Sequence, residues 1–265
     1  MPINDAAARG FERGADDYER ARPGYPQAVF DLLTDELPLR PRTRACDLAA
    51  GTGKFTRGLL NSGATVVAVE PVHAMRRKLA VVCPEAEILD GTAEAIPLAD
   101  RSIDVVTVAQ AFHWFEAEPA LAEIHRVLRP GGGLALVWNV RDESVDWVHQ
   151  FTELIVERSG GRPYTPYHTT PEGDAEARDE RLAVLEQVGG FTPLRHATFD
   201  NSQPIDVDGV VTRAASTSFV SALPDDRREA LLAEVRHLVE THPQTAGHER
   251  FAFPHRTDVT WCHTV

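Results

Sequence analysis

A turn of small residues between an apolar run and a helical pattern is the feature that most constrains this chain. The run ends at Asp47, the turn passes through Gly51 and Gly53, and apolar residues recur at helical spacing from Phe55 onward. This order predicts a strand, a tight turn and a helix start. Small residues let the backbone approach a ligand, and a helix N-terminus presents unpaired N–H groups. The segment is therefore a candidate cradle for a nucleotide-like ligand.

The spacing within this turn separates three kinds of site. A phosphate-binding loop needs glycine where Leu48 stands and a hydroxyl where Phe55 stands, so two of its required groups are missing. A dinucleotide site needs a third glycine where Thr56 stands. The pattern acidic-x-Gly-x-Gly-x-Gly fits residues 47–53, with Ala49 in place of its first glycine. A structural turn that binds nothing is the remaining alternative.

Apolar runs and helical patterns alternate after the turn. β-Branched, apolar runs predict buried strands at residues 65–69, 86–89, 103–108 and 134–138. Helical patterns lie between them at residues 73–82 and 119–128. Further helical patterns follow at residues 146–158, 207–223 and 224–242. The alternation predicts an α/β fold with a doubly wound, mostly parallel sheet.

Polar residues stand at the ends of two of these strands. Glu70 ends the second strand, where an acidic side chain can accept hydrogen bonds from two ribose hydroxyls. A solvated strand end is the alternative interpretation of Glu70. Gln110 closes the fourth strand, where the carboxyl ends of the strands meet the crevice of such a sheet.

These motifs, in this order, resemble the class I S-adenosylmethionine-dependent methyltransferases, and in particular their small-molecule and trans-aconitate-like group. The resemblance is carried by residues 18–26, 47–53, 70–71, 91–94, 109–115, 128–132 and 256–261. It covers nearly the whole chain and is weakest between residues 140 and 223. It implies a Rossmann-like fold with a seven-stranded, mostly parallel sheet, an antiparallel last strand near residues 258–263 inserted at the sheet edge, and a helical insert over the crevice.

The resemblance also implies one methyltransferase domain over residues 1–265. Within it, residues 1–30 would form an N-terminal lid and residues 31–140 the cofactor-binding core. Residues 141–250 would form an acceptor-binding insert interleaved with late strands, and residues 251–265 the C-terminal strand.

The implied cofactor is S-adenosyl-L-methionine, whose methionine end would lie on the turn. The backbone at Ala49, Gly51 and Gly53 would pass under that end, and a side chain at either glycine would collide with the ligand or force an unfavourable φ. Asp47 would orient the amine, directly or through water; a turn-capping carboxylate is the alternative.

Other residues are assigned to the cofactor by the same resemblance. Glu70 would take the ribose hydroxyls, and the remaining contacts would come from Pro71, Thr92, Ala93 and Gln110. In the N-terminal segment, Arg22 would pair with the methionine carboxylate and Tyr18 would cover the sulfonium. A surface cation is the alternative interpretation of Arg22.

The acceptor is expected to be a small molecule methylated at oxygen, with nitrogen and carbon open. His113 is the candidate general base, because histidine titrates near neutral pH; a pocket-wall residue is the favoured alternative. The candidate acceptor contacts are Trp114, Arg141, Trp147, Tyr164, Tyr167 and Ser218. Arg141 would grip an acidic substrate, or else form a surface ion pair.

Composition narrows the possible functions. The net charge of −13 disfavours sequence-independent nucleic-acid binding, which depends on Lys and Arg at phosphates. The three cysteines have no metal or redox spacing, and Cys46 and Cys262 fall in predicted strands as core residues. No metal is expected. No signal-like segment or membrane-spanning run is found, so a cytoplasmic protein without membrane partners is expected.

Two alternatives come from other classes of protein. A nicotinamide-dependent oxidoreductase is disfavoured by Thr56 at the third glycine position and by the absence of a Tyr-x-x-x-Lys pair. A non-catalytic protein that binds S-adenosylmethionine without turnover stays open, because the acceptor pocket has no fixed motif.

Overall fold

The computed structural model describes residues 22–158, 184–185 and 187–265. Its strands are β1 (Arg44–Leu48), β2 (Thr65–Val69), β3 (Glu87–Leu89), β4 (Ile103–Ala109), β5 (Leu128–Arg141), β6 (Arg195–Ile205) and β7 (Phe251–His263). Its helices are α1 (Gln27–Glu36), α2 (Thr56–Leu60), α3 (His73–Val82), α4 (Ala117–Val127), α5 (Asp146–Arg158), α6 (Val207–Ala215), α7 (Ser218–Ser221) and α8 (Asp225–Thr241). A 3₁₀ turn, Phe112–Trp114, follows β4.

The strands form one seven-stranded sheet in the order β3-β2-β1-β4-β5-β7-β6. Strands β1 to β5 pair in parallel, and β7 runs antiparallel to both β5 and β6. The predicted α/β fold with an antiparallel last strand is confirmed. The order reverses between β1 and β4, and such a switch point opens a crevice at the carboxyl ends of the strands.

Both faces of the parallel part of the sheet are buried, because successive strand residues point to opposite faces. Cys46 and Leu48 of β1 share one buried cluster with Ile124 of α4. Ala45, on the other face of β1, shares a second cluster with Leu33 of α1. This two-sided burial explains the continuous apolar runs in the sequence.

The C-terminal helices have a buried cluster of their own. It joins Trp147 and Phe151 of α5, Val210 of α6, Val235 of α8 and Phe253 of β7. The apolar faces of these helices therefore pack mainly against one another and against the start of β7.

Several boundaries differ from the sequence expectations. The helical pattern at residues 207–223 is two helices, separated at residues 216–217. Strand β5 begins at Leu128, ahead of the apolar run at residues 134–138. Strand β7 begins at Phe251 and lies inside the sheet, beside the edge strand β6. Strand β6 lacks the apolar run that predicts the others, because most of its residues are exposed or half-buried.

The cysteines are buried and free, with Cys46 on β1 and Cys262 on β7. The prediction that these two are core residues is confirmed.

Candidate functional site

The turn after β1 contains left-handed backbone at three positions. The φ angles are +57° at Ala49, +59° at Gly51 and +91° at Gly53. Ala49 therefore holds a conformation that glycine adopts more easily, at a cost of about 1 kcal/mol. The turn keeps the shape of a three-glycine loop although its first glycine is missing.

The two glycines are required for different reasons. A Cβ on Gly53 would lie 2.6 Å from Cδ1 of Leu79 in α3. A Cβ on Gly51 would meet only Sδ of Met75, at 3.9 Å. Of the two expected penalties for a side chain at Gly53, the unfavourable φ is confirmed, and the space beside it is occupied by α3 rather than left for a ligand. Gly51 is the position that leaves an open surface.

Asp47 lies below the turn and is 1% exposed. Thr56 donates its hydroxyl to one carboxylate oxygen at 2.6 Å, and Thr107 of β4 donates to the other at 3.2 Å. Burial raises the pKa of the Asp47 carboxyl to about 7, against the lowering effect of these two hydroxyls. Thr56, which replaces the third glycine of a dinucleotide loop, thus holds the carboxylate in place.

Glu70 binds the backbone of the same turn from the end of β2. It is 3% exposed, so a solvated strand end is the wrong interpretation. One carboxylate oxygen accepts the N–H of Gly51 and the other accepts the N–H of Val72, both at 2.8 Å. Burial raises the pKa of Glu70, while those two N–H groups lower it. Each oxygen keeps a lone pair for a further donor.

Two cavities open at the carboxyl ends of the strands. Cavity A has a volume of about 820 Å³ including its open mouth, and cavity B about 530 Å³ measured the same way. Four residues line both: Ala49, Gly51, Ala109 and Gln110. The cavities therefore meet across the ends of β1 and β4, at the switch point of the sheet.

Cavity A collects most of the residues that the sequence assigned to a cofactor. Its predicted lining residues are Ala49, Gly51, Glu70, Pro71, Thr92, Ala93, Gln110 and Trp114. Met75, Glu94 and Phe115 also line it. Trp114, which was expected to contact the acceptor, therefore lies on the same wall as the expected cofactor contacts.

The lining of cavity B carries more positively charged side chains than the lining of cavity A. Arg22, Lys54 and Arg213 line it, together with Asp47. Asn139 also lines it and donates its amide to the carbonyl of Gly24 at 3.0 Å, which fixes the segment after Arg22 against the sheet.

Gln110, at the junction of the cavities, is left-handed with φ +60°. Its side-chain amide donates to the backbone carbonyl of Asn139 at 3.1 Å, which ties the end of β4 to β5. A strained residue held by a neighbouring strand is typical of a functional position.

Some predicted site residues are absent from the described lining of both cavities. His113 lines neither cavity, and its ring centroid lies 4.7 Å from that of Trp114. Trp147 is 2% exposed and packs on Phe253 with ring centroids 4.8 Å apart. The expectation that it contacts the acceptor is therefore wrong, because its side chain belongs to the core of the C-terminal helices. Gly53 also lines neither cavity.

Arg141 is buried, so the surface ion-pair interpretation is wrong. Its guanidinium donates to the hydroxyl of Thr152 at 3.2 Å and lies 4.7 Å from the ring centroid of Phe151. Tyr18, Tyr164 and Tyr167 lie outside the described residues, as does the side chain of Ser218.

Sequence reasoning missed Arg213 and Asn139. Arg213 is 3% exposed and shares the buried stripe of α6 with Val210 and Ala214. An arginine on the apolar stripe of a helix was the signal that could have found it. Asn139, near the end of β5, carries no motif and is placed only by the sheet.

Neither a metal-binding cluster nor a membrane-spanning helix is present among the described residues. In that part of the chain, no three His, Cys, Asp or Glu side chains are grouped so that they could hold a metal ion. No helix in it is both long and apolar enough to cross a membrane.

Comparison with known sequences gives consistent matches. A domain family described as "Methyltransferase domain" matches residues 46–136. An uncharacterized methyltransferase of Mycobacterium tuberculosis is 39% identical over 240 residues, covering 91% of this chain and 89% of the relative. An uncharacterized methyltransferase of Schizosaccharomyces pombe is 34% identical over 246 residues, covering 92% and 93%.

Comparison with solved structures agrees with the sheet topology. A protein of Anaeromyxobacter dehalogenans assigned as a type II methyltransferase superposes with a TM-score of 0.61 at 25% identity, covering 91% of this chain and 96% of that one. A protein of Anabaena variabilis assigned as a methyltransferase gives a TM-score of 0.61 at 21% identity, covering 88% and 96%. The second match is evidence of fold alone.

Proposed function

Because the chain belongs to the class I methyltransferases, we propose that it transfers a methyl group from S-adenosylmethionine to a small-molecule acceptor, at oxygen. When bound, S-adenosylmethionine supplies a methyl group on a sulfonium, whose transfer to an acceptor lone pair leaves a neutral thioether. The observation that carries the proposal is the junction of cavities A and B over one left-handed turn, at the switch point where such folds bind ligands.

Cavity A suits an adenosine. Glu70 is held at its edge by two backbone N–H groups, which leaves lone pairs that would accept from ribose hydroxyls. Pro71 and Val72 offer apolar contact to a base, and Thr92 and Ala93 lie on the same lining. A carboxylate and an apolar slot in one cavity match the two halves of a nucleoside.

Cavity B suits the amino-acid end of the same molecule. Asp47 would attract the amine, since a nearby cation favours its ionised form. Arg22 would pair with the carboxylate, for which a guanidinium is well shaped. The open surface at Gly51 allows a ligand to pass from one cavity to the other against the backbone.

The protein's contribution to the reaction is then positioning and exclusion of water. A phenol or hydroxyl acceptor usually needs a base, whereas an acceptor that is already anionic does not. His113 lines neither described cavity and its ring packs on Trp114, which favours a packing role for it over proton transfer.

Titration calorimetry with S-adenosylmethionine and with S-adenosylhomocysteine tests the proposal. Both are expected to bind at one site per chain, and NADH is expected to give no change in fluorescence on titration. If neither sulfur compound binds, the proposal fails; if NADH alone binds, the oxidoreductase alternative replaces it.

Turnover is tested separately from binding. S-Adenosylhomocysteine release is measured over a panel of carboxylic acids, phenols and amines. Release with an oxygen acceptor supports O-methylation, whereas release only with amines indicates N-methylation. Binding without release from any acceptor would favour the non-catalytic alternative.

A further inference from the structure

One arginine of α3 joins the ends of two neighbouring strands beside cavity A. Arg76 lies on α3, residues 70–71 directly follow β2, and Asp90 directly follows β3. Nη1 of Arg76 donates to the backbone carbonyls of Glu70 and Pro71, both at 2.7 Å. The same guanidinium forms two bonds with the carboxylate of Asp90, each 2.8 Å long. This side chain therefore ties the end of β2 to the end of β3.

The backbone that Arg76 holds leads directly into cavity A. Glu70 and Pro71 line that cavity, and so do residues 91–92, which follow Asp90 along the chain. Arg76 and Asp90 are themselves absent from the described lining. Any effect of Arg76 on a ligand in cavity A therefore passes through the residues that it holds.

The bond between Arg76 and Asp90 is specific in its geometry. A guanidinium is planar and matches a carboxylate with two charge-assisted hydrogen bonds, which a lysine ammonium cannot do. The side chain of Arg76 is 17% exposed, whereas that of Asp90 is 69% exposed. An ion pair with an exposed partner contributes little to stability, so the pair can be broken at Asp90 without unfolding the protein.

The pair acts on the charge of Glu70 in two opposite directions. Burial is the first cause of the raised pKa of Glu70, and the N–H groups of Val72 and Gly51 lower that pKa. The charge of Arg76 lowers it further and the charge of Asp90 raises it. The pair is therefore suited to holding Glu70 in place rather than to changing its ionisation.

The far end of the segment after β3 is fixed independently. Glu123 of α4 accepts the N–H of Ile96 at 2.9 Å. Arg126 of the same helix donates to the carbonyls of Ile96 at 2.9 Å and Leu98 at 2.8 Å. The segment between these anchors stays held at one end when Arg76 is removed, so we expect the change to be largest at the end of β2.

We propose that Arg76, paired with Asp90, is a positioning residue for nucleoside recognition: it fixes Glu70 so that this carboxylate selects a ligand with intact ribose hydroxyls. This inference rests on the proposed function, which places an adenosine in cavity A. A carboxylate distinguishes ribose from deoxyribose only when its oxygens lie within hydrogen-bond distance of the hydroxyls. A displacement of about 1 Å takes them beyond that distance.

Calorimetry with adenosine, 2′-deoxyadenosine and 3′-deoxyadenosine tests this role. The native protein is expected to bind adenosine about tenfold or more tightly than either analogue, because each analogue lacks one hydrogen bond to a charged acceptor. In Arg76→Gln this preference should fall to about threefold or less, because Glu70 is no longer held within reach. A general loss of stability would weaken all three nucleosides alike and leave the preference unchanged.

Two further variants complete the test. Arg77→Gln removes the same charge from the next residue of α3, which is exposed, and should keep the native preference. Asp90→Asn keeps the shape of the side chain but loses the ion pair, so its preference should lie between those of the native protein and Arg76→Gln. Because Asp90 is mostly exposed, this variant should fold and decides the test if Arg76→Gln does not fold.

Three results would overturn the positioning role. The first is a native preference in folded Arg76→Gln, or in Asp90→Asn if Arg76→Gln does not fold. The second is an equal loss of affinity for all three nucleosides, which indicates a structural effect alone. The third is a native protein that binds the three nucleosides equally, because Glu70 then does not recognise the ribose. Failure of S-adenosylhomocysteine to bind the native protein is a separate result, which contradicts the proposed function itself.

Discussion

Cavities A and B share a wall yet are built in different ways. Apart from that wall, cavity A is lined by residues 70–115, which follow one another along successive strand ends. Cavity B joins residues 22–25 and 47–55 to Asn139 and Arg213, which are far apart in the chain. Cavity A has Glu70 at its edge, whereas cavity B has arginines. The comparison indicates that cavity A is encoded by consecutive strand ends, whereas cavity B is assembled by tertiary packing.

The pH dependence of stability is the largest effect expected at the wall of cavity B. Because the pKa of Asp47 is about 7 in the folded protein, against an ordinary value of 3.8, the folded state holds a proton between those pH values that the unfolded state has lost. Unfolding then releases a proton, so stability falls as pH rises through this window. The fall is on the order of 4 kcal/mol.

Urea denaturation of the native protein and of Asp47→Asn between pH 4 and pH 8 measures this contribution. The difference between the two proteins should change across the window and level off above it. If the difference in unfolding free energy between the two proteins is the same at every pH, Asp47 is ionised throughout this range. The wall of cavity B would then contribute no pH dependence to stability.

The two glycines of the turn separate stability from binding. Gly53→Ala should destabilise the fold by about 3 kcal/mol, because its Cβ meets Leu79 and its φ is left-handed. Gly51→Ala should cost only about 1 kcal/mol of stability. It should, however, weaken S-adenosylhomocysteine binding, since Gly51 lines both cavities. The distinction is refuted if denaturation shows the larger loss of stability in Gly51→Ala and calorimetry shows the larger loss of S-adenosylhomocysteine affinity in Gly53→Ala.

The strained alanine in the shared wall predicts a smaller effect of opposite sign. Ala49→Gly should stabilise the protein by about 0.5 kcal/mol, because relief of the left-handed backbone at +57° exceeds the entropy that glycine loses. Its thermal midpoint should rise slightly, with cofactor affinity retained. A lower midpoint would show that the alanine methyl contributes packing that outweighs the strain.

The smallest effect is expected outside both cavities. His113→Ala should change kcat by no more than about twofold, once an acceptor is in hand. A general base contributes about 100-fold or more, so a loss of that size would place His113 in the chemistry and break the division between the cavities.

The difference between cavities A and B also explains which site residues could be predicted from the sequence. Glu70, Thr92 and Gln110 follow predicted strands, and parallel strands bring their carboxyl ends together, so local patterns suffice to place them. The role of Thr107 depends on the register of β1 against β4, which a single strand does not reveal. The role of Thr56 depends on how the turn brings the start of α2 back to Asp47. Trp147 looked like a binding residue because the packing of α5 on β7 was unknown.

Arg213 shows why cavity B was harder to predict. It lies on α6, and its place at cavity B depends on how that helix packs over the sheet. The arginine expected from sequence to grip an acid, Arg141, is absent from the described lining of either cavity.

The affinities of adenosine and S-adenosylhomocysteine, compared in two variants, test the central claim most directly. Glu70→Gln should weaken both ligands by about tenfold or more, because it removes a charged acceptor from cavity A. Arg22→Gln should weaken S-adenosylhomocysteine alone, because adenosine has no group in cavity B. If adenosine binding ignores Glu70→Gln, or falls equally with Arg22→Gln, the assignment of one ligand across the two cavities is contradicted.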